Sequence, residues 1–223
     1  GHYAQIDTRD WLHLLRWVDS DKDQSYFLSA LSREQLQQAL FPIGGLQKSQ
    51  VRDIARQAGL PNADRKDSQG LCFVGKVDFA QFLKSHIPAQ VGDIVDTQWR
   101  VLGQHDGAFQ YTIGQRKGIG VGGGPALYVV EKDVLNNRVV VGEENDERLF
   151  QKKCTLSHMN WLTDVSFPLT CEAQIRYRQA PQTCLIDEHM NVTFIEPQRA
   201  VTPGQVCALY DWNKVLGSGI IMI

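Results

Sequence analysis

The stretch of sequence that decides the fold class is LTCEAQIRYR, residues 169–178. Apolar and polar residues alternate along it, and a period of two predicts a β-strand with one buried face. The inward face holds Leu169, Cys171, Ala173, Ile175 and Tyr177. The polar face holds Thr170, Glu172, Gln174, Arg176 and Arg178. The stretch therefore predicts a half-buried sheet in the last third of the chain.

Further strands are predicted on both sides of this one. After residue 154 they recur at the spacing of about 8–12 residues that is typical of small barrels and sandwiches. The turn at Pro203-Gly204 separates them from two final strands at 206–210 and 215–221. Before residue 154, short strands are predicted at 91–95, 100–103, 126–131 and 138–141, with a hairpin turn at Asn136-Asn137.

The first 85 residues are predicted to be mostly helical. Ser32 and Gln35 have the spacing of a capping box, which marks the start of one helix. Ser49 is the expected N-cap of a second helix that stops at Gly59, and a third is expected from Asp78. The fold class is therefore α+β, with domain boundaries near residues 86 and 154.

Composition excludes several classes of protein. Apolar residues make up 43% of the chain and charged residues 22%, which is typical of a globular protein and not of a disordered one. The 23 basic and 25 acidic side chains give a net charge of −2, so nucleic acid would be bound by placed residues rather than by a basic field. The five cysteines form no CxxC pair, which argues for reduced thiols in a cytoplasm. Because the chain begins at Gly1, we expect it to be a piece of a longer protein.

Cys72 is the candidate reactive thiol. It follows a polar loop, residues 67–70, and the nearby Arg65 and Lys66 would favour a thiolate. The alternative is a buried structural cysteine, the commoner fate of a lone thiol. The other four cysteines lie in apolar, strand-like surroundings and are expected in the core.

A glycine-rich segment and an arginine pair are candidate RNA contacts. The segment is YTIGQRKGIG, residues 111–120, in which a predicted strand follows the glycines and so disfavours a dinucleotide site. Its glycines would allow a phosphate to approach closely, or they form an ordinary hairpin loop. Arg176 and Arg178 would grip phosphates or stack on bases, or form an ordinary solvated face.

Six motifs taken in order resemble the tRNA-specific 2-thiouridylase family, MnmA or TrmU. They are GHY at 1–3, KDQSYFL at 22–28, DSQGLCF at 67–73, YTIGQRKGIG at 111–120, RYR at 176–178 and TPGQ at 202–205. The resemblance covers essentially the whole chain and is to the C-terminal part of the enzyme. It implies the helical remainder of a PP-loop ATP-pyrophosphatase (adenine nucleotide alpha hydrolase-like) domain over 1–85. A β-rich central domain over 86–153 and an antiparallel β-barrel over 154–223, similar to those of translation factors, would follow.

The resemblance also implies an activity. Members of the family replace the C2 oxygen of the wobble uridine, U34, with sulfur in tRNAs of the Lys, Glu and Gln type. The reaction uses ATP, with which we expect Mg²⁺, and sulfur from a cysteine desulfurase or sulfur-relay protein. The family's ATP loop and first catalytic cysteine have no counterpart in this sequence, so we expect the chain alone to be inactive. We also expect a cytoplasmic monomer that binds no other metal.

Residue roles follow by motif position. Cys72 is expected to carry the persulfide, and Gly1 to lie beside ATP. The tRNA-binding residues would be His2, Lys22, Asp23, Gln24, Arg176, Tyr177 and Gln205.

Two tryptophans depart from the family, and two other functions stay open. Trp17 and Trp99 occupy positions where the family usually has glycine, and Trp99 would be strained if its turn needs a positive φ. One alternative function is a non-catalytic RNA-binding module with a translation-factor-like barrel. The other is a thiol hydrolase that pairs Cys72 with His86.

Overall fold

The computed structural model describes residues 2–65, residue 82 and residues 86–222. These residues form two compact units. The first unit combines the chain up to Arg65 with Lys152–Pro197 and the segment from Pro203 onward. The second contains the described residues from 82 to Gln151, together with Gln198–Thr202. No helix among the described residues is long and apolar enough to cross a membrane.

A closed antiparallel barrel forms most of the first unit. Its six strands lie in the order β12-β11-β8-β9-β10-β7, and β7 pairs back with β12 to close the ring. The strands are β7 (Phe150–Trp161), β8 (Leu169–Gln174), β9 (Gln182–Ile186), β10 (Asn191–Arg199), β11 (Val206–Asp211) and β12 (Lys214–Met222). Closure leaves the ring without an open edge, and it confirms the predicted C-terminal barrel.

Strand β8 confirms the alternation of residues 169–174 but ends earlier than predicted. Cys171 and Ala173 are buried as expected, and Cys171 faces Cys184 of β9. The expectation that Arg176, Tyr177 and Arg178 alternate on a strand is wrong. They lie in a turn, in which the Gln179 N–H donates to the Arg176 carbonyl and Arg178 adopts a φ of 66°.

The structure of residues 2–65 corrects the prediction that the first 85 residues are mostly helical. Strands β1 (Gln5–Asp7) and β2 (His13–Leu15) form a hairpin, and β2 joins β12 through the pair Leu15 and Lys214. A short 3-10 helix (Ser20–Lys22) and the helix α1 (Ser25–Leu28) follow. The two strands were missed because three-residue strands are too short to show a period.

Two further helices were predicted from their capping residues. Helix α2 (Arg33–Gln37) begins at Ser32 with the expected capping box. The N-cap of helix α3 (Lys48–Gln57) is Gln47 and not Ser49, and the Gln50 side chain accepts a hydrogen bond from the Gln47 N–H. The stop at Gly59 is confirmed by its φ of 65°. The helix expected from Asp78 lies almost wholly outside the described residues.

The N-terminal segment and the barrel share one core. Its fully buried members include Leu14 of β2, Leu36 of α2 and Tyr210 of β11. Tyr26 of α1 joins the same cluster, and its hydroxyl donates to the Val206 carbonyl at 2.8 Å. The chain from Ala4 to Phe41 therefore contributes to the barrel's hydrophobic packing, whereas α3 has no buried residue.

The second unit is built on a four-stranded sheet in the order β4-β3-β6-β5. The strands are β3 (Gly92–Val95), β4 (Val101–His105), β5 (Tyr128–Asp133) and β6 (Arg138–Gly142). They confirm the predicted strands with ends shifted by up to two residues, and Asn137 lies in the predicted hairpin turn at a φ of 50°. Both faces of the sheet are buried, one around Val129 and Val139 and the other around Val130 and Val140. Strand β5 follows the glycine-rich segment, as expected.

Candidate nucleic-acid interface

A pocket of about 350 Å³ in the first unit brings two distant parts of the sequence together. One wall comes from the chain after β2, and the other comes from the end of β8 and the turn after it. The lining residues are Arg16, Trp17, Ser20, Asp23, Gln174, Tyr177, Arg178, Gln179, Ala180 and Pro181. Two of the expected tRNA-binding residues, Asp23 and Tyr177, are therefore neighbours in this pocket.

Asp23 organises the loop that forms one wall. Its Oδ1 accepts the backbone N–H groups of Trp17 at 2.9 Å and Ser25 at 3.2 Å. Its Oδ2 accepts the Ser25 hydroxyl at 2.6 Å. Because three donors already bind this carboxylate, Asp23 shapes the pocket before any ligand arrives.

A buried chain of hydroxyl and amide groups continues from Asp23 into the barrel. The Ser25 hydroxyl lies 3.4 Å from the Tyr210 hydroxyl, which donates to Gln174 Oε1 at 3.1 Å. Burial raises the pKa of Tyr210 well above its usual value, so this hydroxyl stays protonated. Gln174 was predicted on a polar face but is buried, because Tyr210 supplies a hydrogen-bond partner inside the barrel.

Cations and aromatic rings meet at the edge of the pocket. The Arg16 guanidinium lies 3.8 Å from the centre of the Tyr210 ring, and its Nη2 is 3.6 Å from Glu172 Oε2. The Arg178 guanidinium is 5.4 Å from the centre of the Tyr177 ring. That ring also contacts Phe27 at 4.4 Å and Tyr26 at 6.2 Å between centroids. Guanidinium groups and aromatic faces are the groups that bind phosphates and stack on unpaired bases.

The other expected tRNA-binding residues do not line this pocket. His2 is exposed, Lys22 ends the 3-10 helix, and Gln24 binds the Tyr3 N–H through its Oε1 at 2.9 Å. Arg176 begins the turn after β8. Gln205 follows the turn glycine Gly204, and its carbonyl accepts the Ile221 N–H.

Sequence reasoning missed Arg16, Trp17 and Gln174 as pocket residues. Trp17 is only 3% exposed and stacks on Tyr3 with ring centroids 4.0 Å apart. Its Nε1–H donates to the Ile43 carbonyl at 3.2 Å. The sequence analysis singled out Trp17 as an expected departure from the family, but it did not reveal which residues the indole would contact.

A second cavity, of about 900 Å³, lies in the second unit. The glycine-rich segment and the residues that follow it, 118–127, form one side, with Arg100 and Arg116 among the other lining residues. Asp96 Oδ2 binds the Arg100 Nε at 2.6 Å, so this pair is largely neutral.

The four described cysteines are all buried and free. Cys171 and Cys184 lie 3.8 Å apart between sulfur atoms. Burial raises the pKa of Cys154 to about 11 and that of Cys207 well above its usual value. Cys154 and Cys207 are therefore poor nucleophiles. Cys72 and Gly1 lie outside the described residues, within which no cluster of three or more His, Cys, Asp or Glu could hold a metal ion.

Three family models match consecutive parts of the chain. They are described as a tRNA methyl transferase HUP domain at residues 1–76, a tRNA methyl transferase PRC-barrel domain at 80–143 and an aminomethyltransferase beta-barrel domain at 151–221. The sheet of the second unit lies within the range 80–143, and the barrel strands exceed the range 151–221 by one residue at each end. The fold and the matches together define a HUP-domain portion followed by two β-rich domains.

The names of three similar proteins identify the family to which the chain belongs. The chain is 44% identical over 235 residues to a protein from Enterococcus faecalis and 46% identical over 231 residues to one from Trichormus variabilis. A relative from Coxiella burnetii is 44% identical over 234 residues. All three are named tRNA-specific 2-thiouridylase MnmA, and 99% of this chain aligns with each. The chain belongs to the MnmA family, and it spans 63–65% of the length of these relatives.

Proposed function

We propose that this chain is the tRNA-binding and sulfur-carrying portion of an enzyme that thiolates C2 of the wobble uridine, U34. The observation that carries the proposal is the pocket in which Asp23 and Tyr177, assigned to tRNA by motif position, are neighbours. Membership of the MnmA family supports the same reaction. The substrates would be tRNAs of the Lys, Glu and Gln type.

The pocket suits an unpaired segment of RNA. Arg178 is exposed beside the Tyr177 ring and offers a planar cation for a phosphate or a base. Gln174 and Arg16 add an amide and a second guanidinium to the lining. Asp23 is occupied by donors from its own loop, so its carboxylate acts chiefly by holding that loop in place. His2, Lys22, Gln24, Arg176 and Gln205 would extend the contact beyond the pocket.

Cys72 would carry the sulfur as a persulfide. Its terminal sulfur attacks C2 of the uridine, the activated C2 oxygen leaves, and the base becomes joined to Cys72 through a disulfide. A second thiol then attacks the Cys72 sulfur, which forms a protein disulfide and releases the 2-thiouridine. The four described thiols are buried in the barrel and are poorly suited to be that second group, so it would come from outside residues 1–223.

The remaining partners follow from the family resemblance. ATP, accompanied by Mg²⁺, supplies the activation of the C2 oxygen. The ATP contact that motif position assigns to this chain is Gly1, which lies outside the described residues. A cysteine desulfurase or sulfur-relay protein would load Cys72. We expect a cytoplasmic monomer that cannot thiolate tRNA without the ATP loop.

The first test measures binding of the full chain to a transcript of a Lys-type tRNA. Tyr177→Ala should weaken binding about 5- to 100-fold if the ring stacks on a base. Arg178→Ala should weaken it and lower the slope of log affinity against log salt by about one. Arg9→Ala is the charge-matched control, because Arg9 is an exposed arginine of the same unit that binds only Asp7 in the hydrogen bonds of its side chain. Equal losses in Arg9→Ala and Arg178→Ala would contradict the assignment of the pocket.

The second test separates an enzyme from a non-catalytic RNA-binding module. The chain is incubated with a cysteine desulfurase and ³⁵S-cysteine, and protein-bound label is measured before and after reduction. We expect label that reduction removes and that Cys72→Ser abolishes, while tRNA binding persists. RNA binding with no such label on the unaltered chain would favour the module. Detectable thiolation of tRNA by this chain with ATP would contradict the expected inactivity.

A further inference from the structure

Trp212 lies at the tip of the hairpin between β11 and β12. Asp211 and Lys214 are paired across the hairpin, so Trp212 and Asn213 form a two-residue loop. The indole is 81% exposed, and the backbone of Trp212 has a φ of 51°. The residue therefore combines a large exposed ring with a left-handed backbone.

Neither property helps the chain to fold. A left-handed conformation is costly for a bulky L-residue, and two-residue hairpin loops favour Gly, Asn or Asp at such positions. The exposed ring regains little of that cost by burial. Since strain that the fold does not repay tends to mark functional positions, the indole is a candidate for contact with a ligand.

The hairpin tip is attached to the wall of the pocket. The Asn213 carbonyl accepts the Arg16 N–H at 2.8 Å, and Arg16 lines the pocket. Tyr210, two residues before Trp212, lies beneath the Arg16 guanidinium. A ligand that extends out of the pocket past Arg16 would reach this hairpin.

Charges near the tip are balanced. Lys214 is paired in register with Asp211, and the Arg16 guanidinium is 3.6 Å from Glu172. These four residues carry two charges of each sign and together give no net attraction for a phosphate. The main interaction of Trp212 is the flat face of an aromatic ring, which suits an unpaired base.

We propose that Trp212 is a stacking platform for an unpaired base of the RNA bound at the pocket. This inference rests on the proposed function and adds a residue that no motif of the family resemblance includes. It also predicts how Trp212 acts. Removing the ring should lower affinity without changing its dependence on salt, because stacking releases no counterions.

The test compares variants of the full chain for binding to the Lys-type tRNA transcript. Trp212→Ala should weaken binding about 5- to 100-fold, with an unchanged salt slope, and Trp212→Phe should keep most of the affinity. Trp11→Ala is the matched control, since Trp11 is 59% exposed in another hairpin loop of the same unit. A blunt RNA duplex of equal length should bind Trp212→Ala and the unaltered chain equally.

Trp212→Gly provides a second, independent readout. Glycine adopts a positive φ freely, so this variant should unfold at a temperature about 2–4 °C higher while it binds RNA as weakly as Trp212→Ala. A residue with a purely structural role would not raise stability and lower affinity together. Unchanged affinity in Trp212→Ala, when the unaltered chain binds, overturns this inference alone. No binding by the unaltered chain overturns the proposed function and this inference with it.

Discussion

Trp17 and Trp99, which the family resemblance singled out as departures, adopt different conformations. Trp99 has a φ of 64° and is exposed, with the Arg138 guanidinium 5.3 Å from its ring. The expected left-handed turn is thus present, and Trp99 carries its strain. Trp17 has no positive φ and is buried against Tyr3. The Trp17 indole is therefore part of the packing.

His105 should make the stability of the second unit depend on pH. The ring is 5% exposed, and its Nδ1 accepts the Gly107 N–H at 2.9 Å. Burial lowers the pKa of His105, and the nearby Asp93 and Asp106 only partly oppose this shift. The folded chain therefore keeps the imidazole neutral, whereas the unfolded chain protonates it below its usual pKa of about 6.5. The free energy of unfolding should therefore decrease as the pH falls from about 6.5 toward the lower pKa that His105 has in the folded chain.

Urea unfolding at pH 7.5 and pH 5.5 measures this effect. The amide signals of Val129 and Val139 report the second unit, whose core contains both residues. We expect a lower urea midpoint at pH 5.5 for the unaltered chain and a smaller decrease for His105→Gln, which does not titrate. Equal decreases in the two proteins would contradict a role for His105.

At the scale of the element, the starts of α2 and α3 allow a matched comparison of two serines. The Ser32 Oγ accepts the Gln35 N–H at 3.3 Å, so Ser32→Ala should lower the free energy of unfolding by about 1 kcal/mol. Ser49 lies inside α3, where alanine is at least as favourable as serine. Ser49→Ala should therefore be neutral or slightly stabilising. A larger loss from Ser49→Ala than from Ser32→Ala in urea titrations would restore Ser49 as the cap.

Strand β8 shows which structural features the alternation of apolar and polar residues predicts and which it does not. Alternation identified residues 169–174 as a strand because one face of β8 packs inside the barrel. It failed after Gln174, where the chain turns although the polar and apolar residues continue to alternate. The alternation also predicted that Gln174 is exposed to solvent, because its hydrogen-bond partner Tyr210 lies on a strand that is distant in sequence. Local pattern predicts which face is buried, but it does not give the partners across the sheet.

The sequence predicted only part of the candidate site. Asp23 and Tyr177 came from the family resemblance, and the structure makes them neighbours. Arg16 was not predicted as a site residue, because its guanidinium is positioned by the ring of Tyr210, which is distant in sequence. The roles of Cys72 and Gly1 stay predictions, since both residues lie outside the described part of the chain.

At the scale of the whole molecule, the first unit should unfold as one body. Leu36 of α2 is fully buried in the cluster that contains Leu14 and Tyr210. Leu36→Ala should cost about 2–5 kcal/mol, because it removes buried methyl groups and leaves a cavity. Hydrogen exchange at Leu209 of β11 should therefore accelerate at least tenfold.

The second unit is the internal control for this variant. Exchange at Val129 should change much less than exchange at Leu209, since Leu36 is not part of that core. Unchanged protection at Leu209 would mean that the barrel is stable without the packing of α2.

Burial of the four described cysteines in the barrel has a consequence for chemical labelling of the protein. Alkylating dyes react with thiolates, and Cys154, Cys171, Cys184 and Cys207 are all buried in the native chain. A native labelling reaction should therefore leave these four sulfurs unmodified. Cys72 is the remaining one of the five cysteines in the sequence, so any dye that the folded protein takes up through a cysteine should be attached there. The yield of labelling therefore measures the reactivity of the proposed sulfur carrier without first removing the other cysteines.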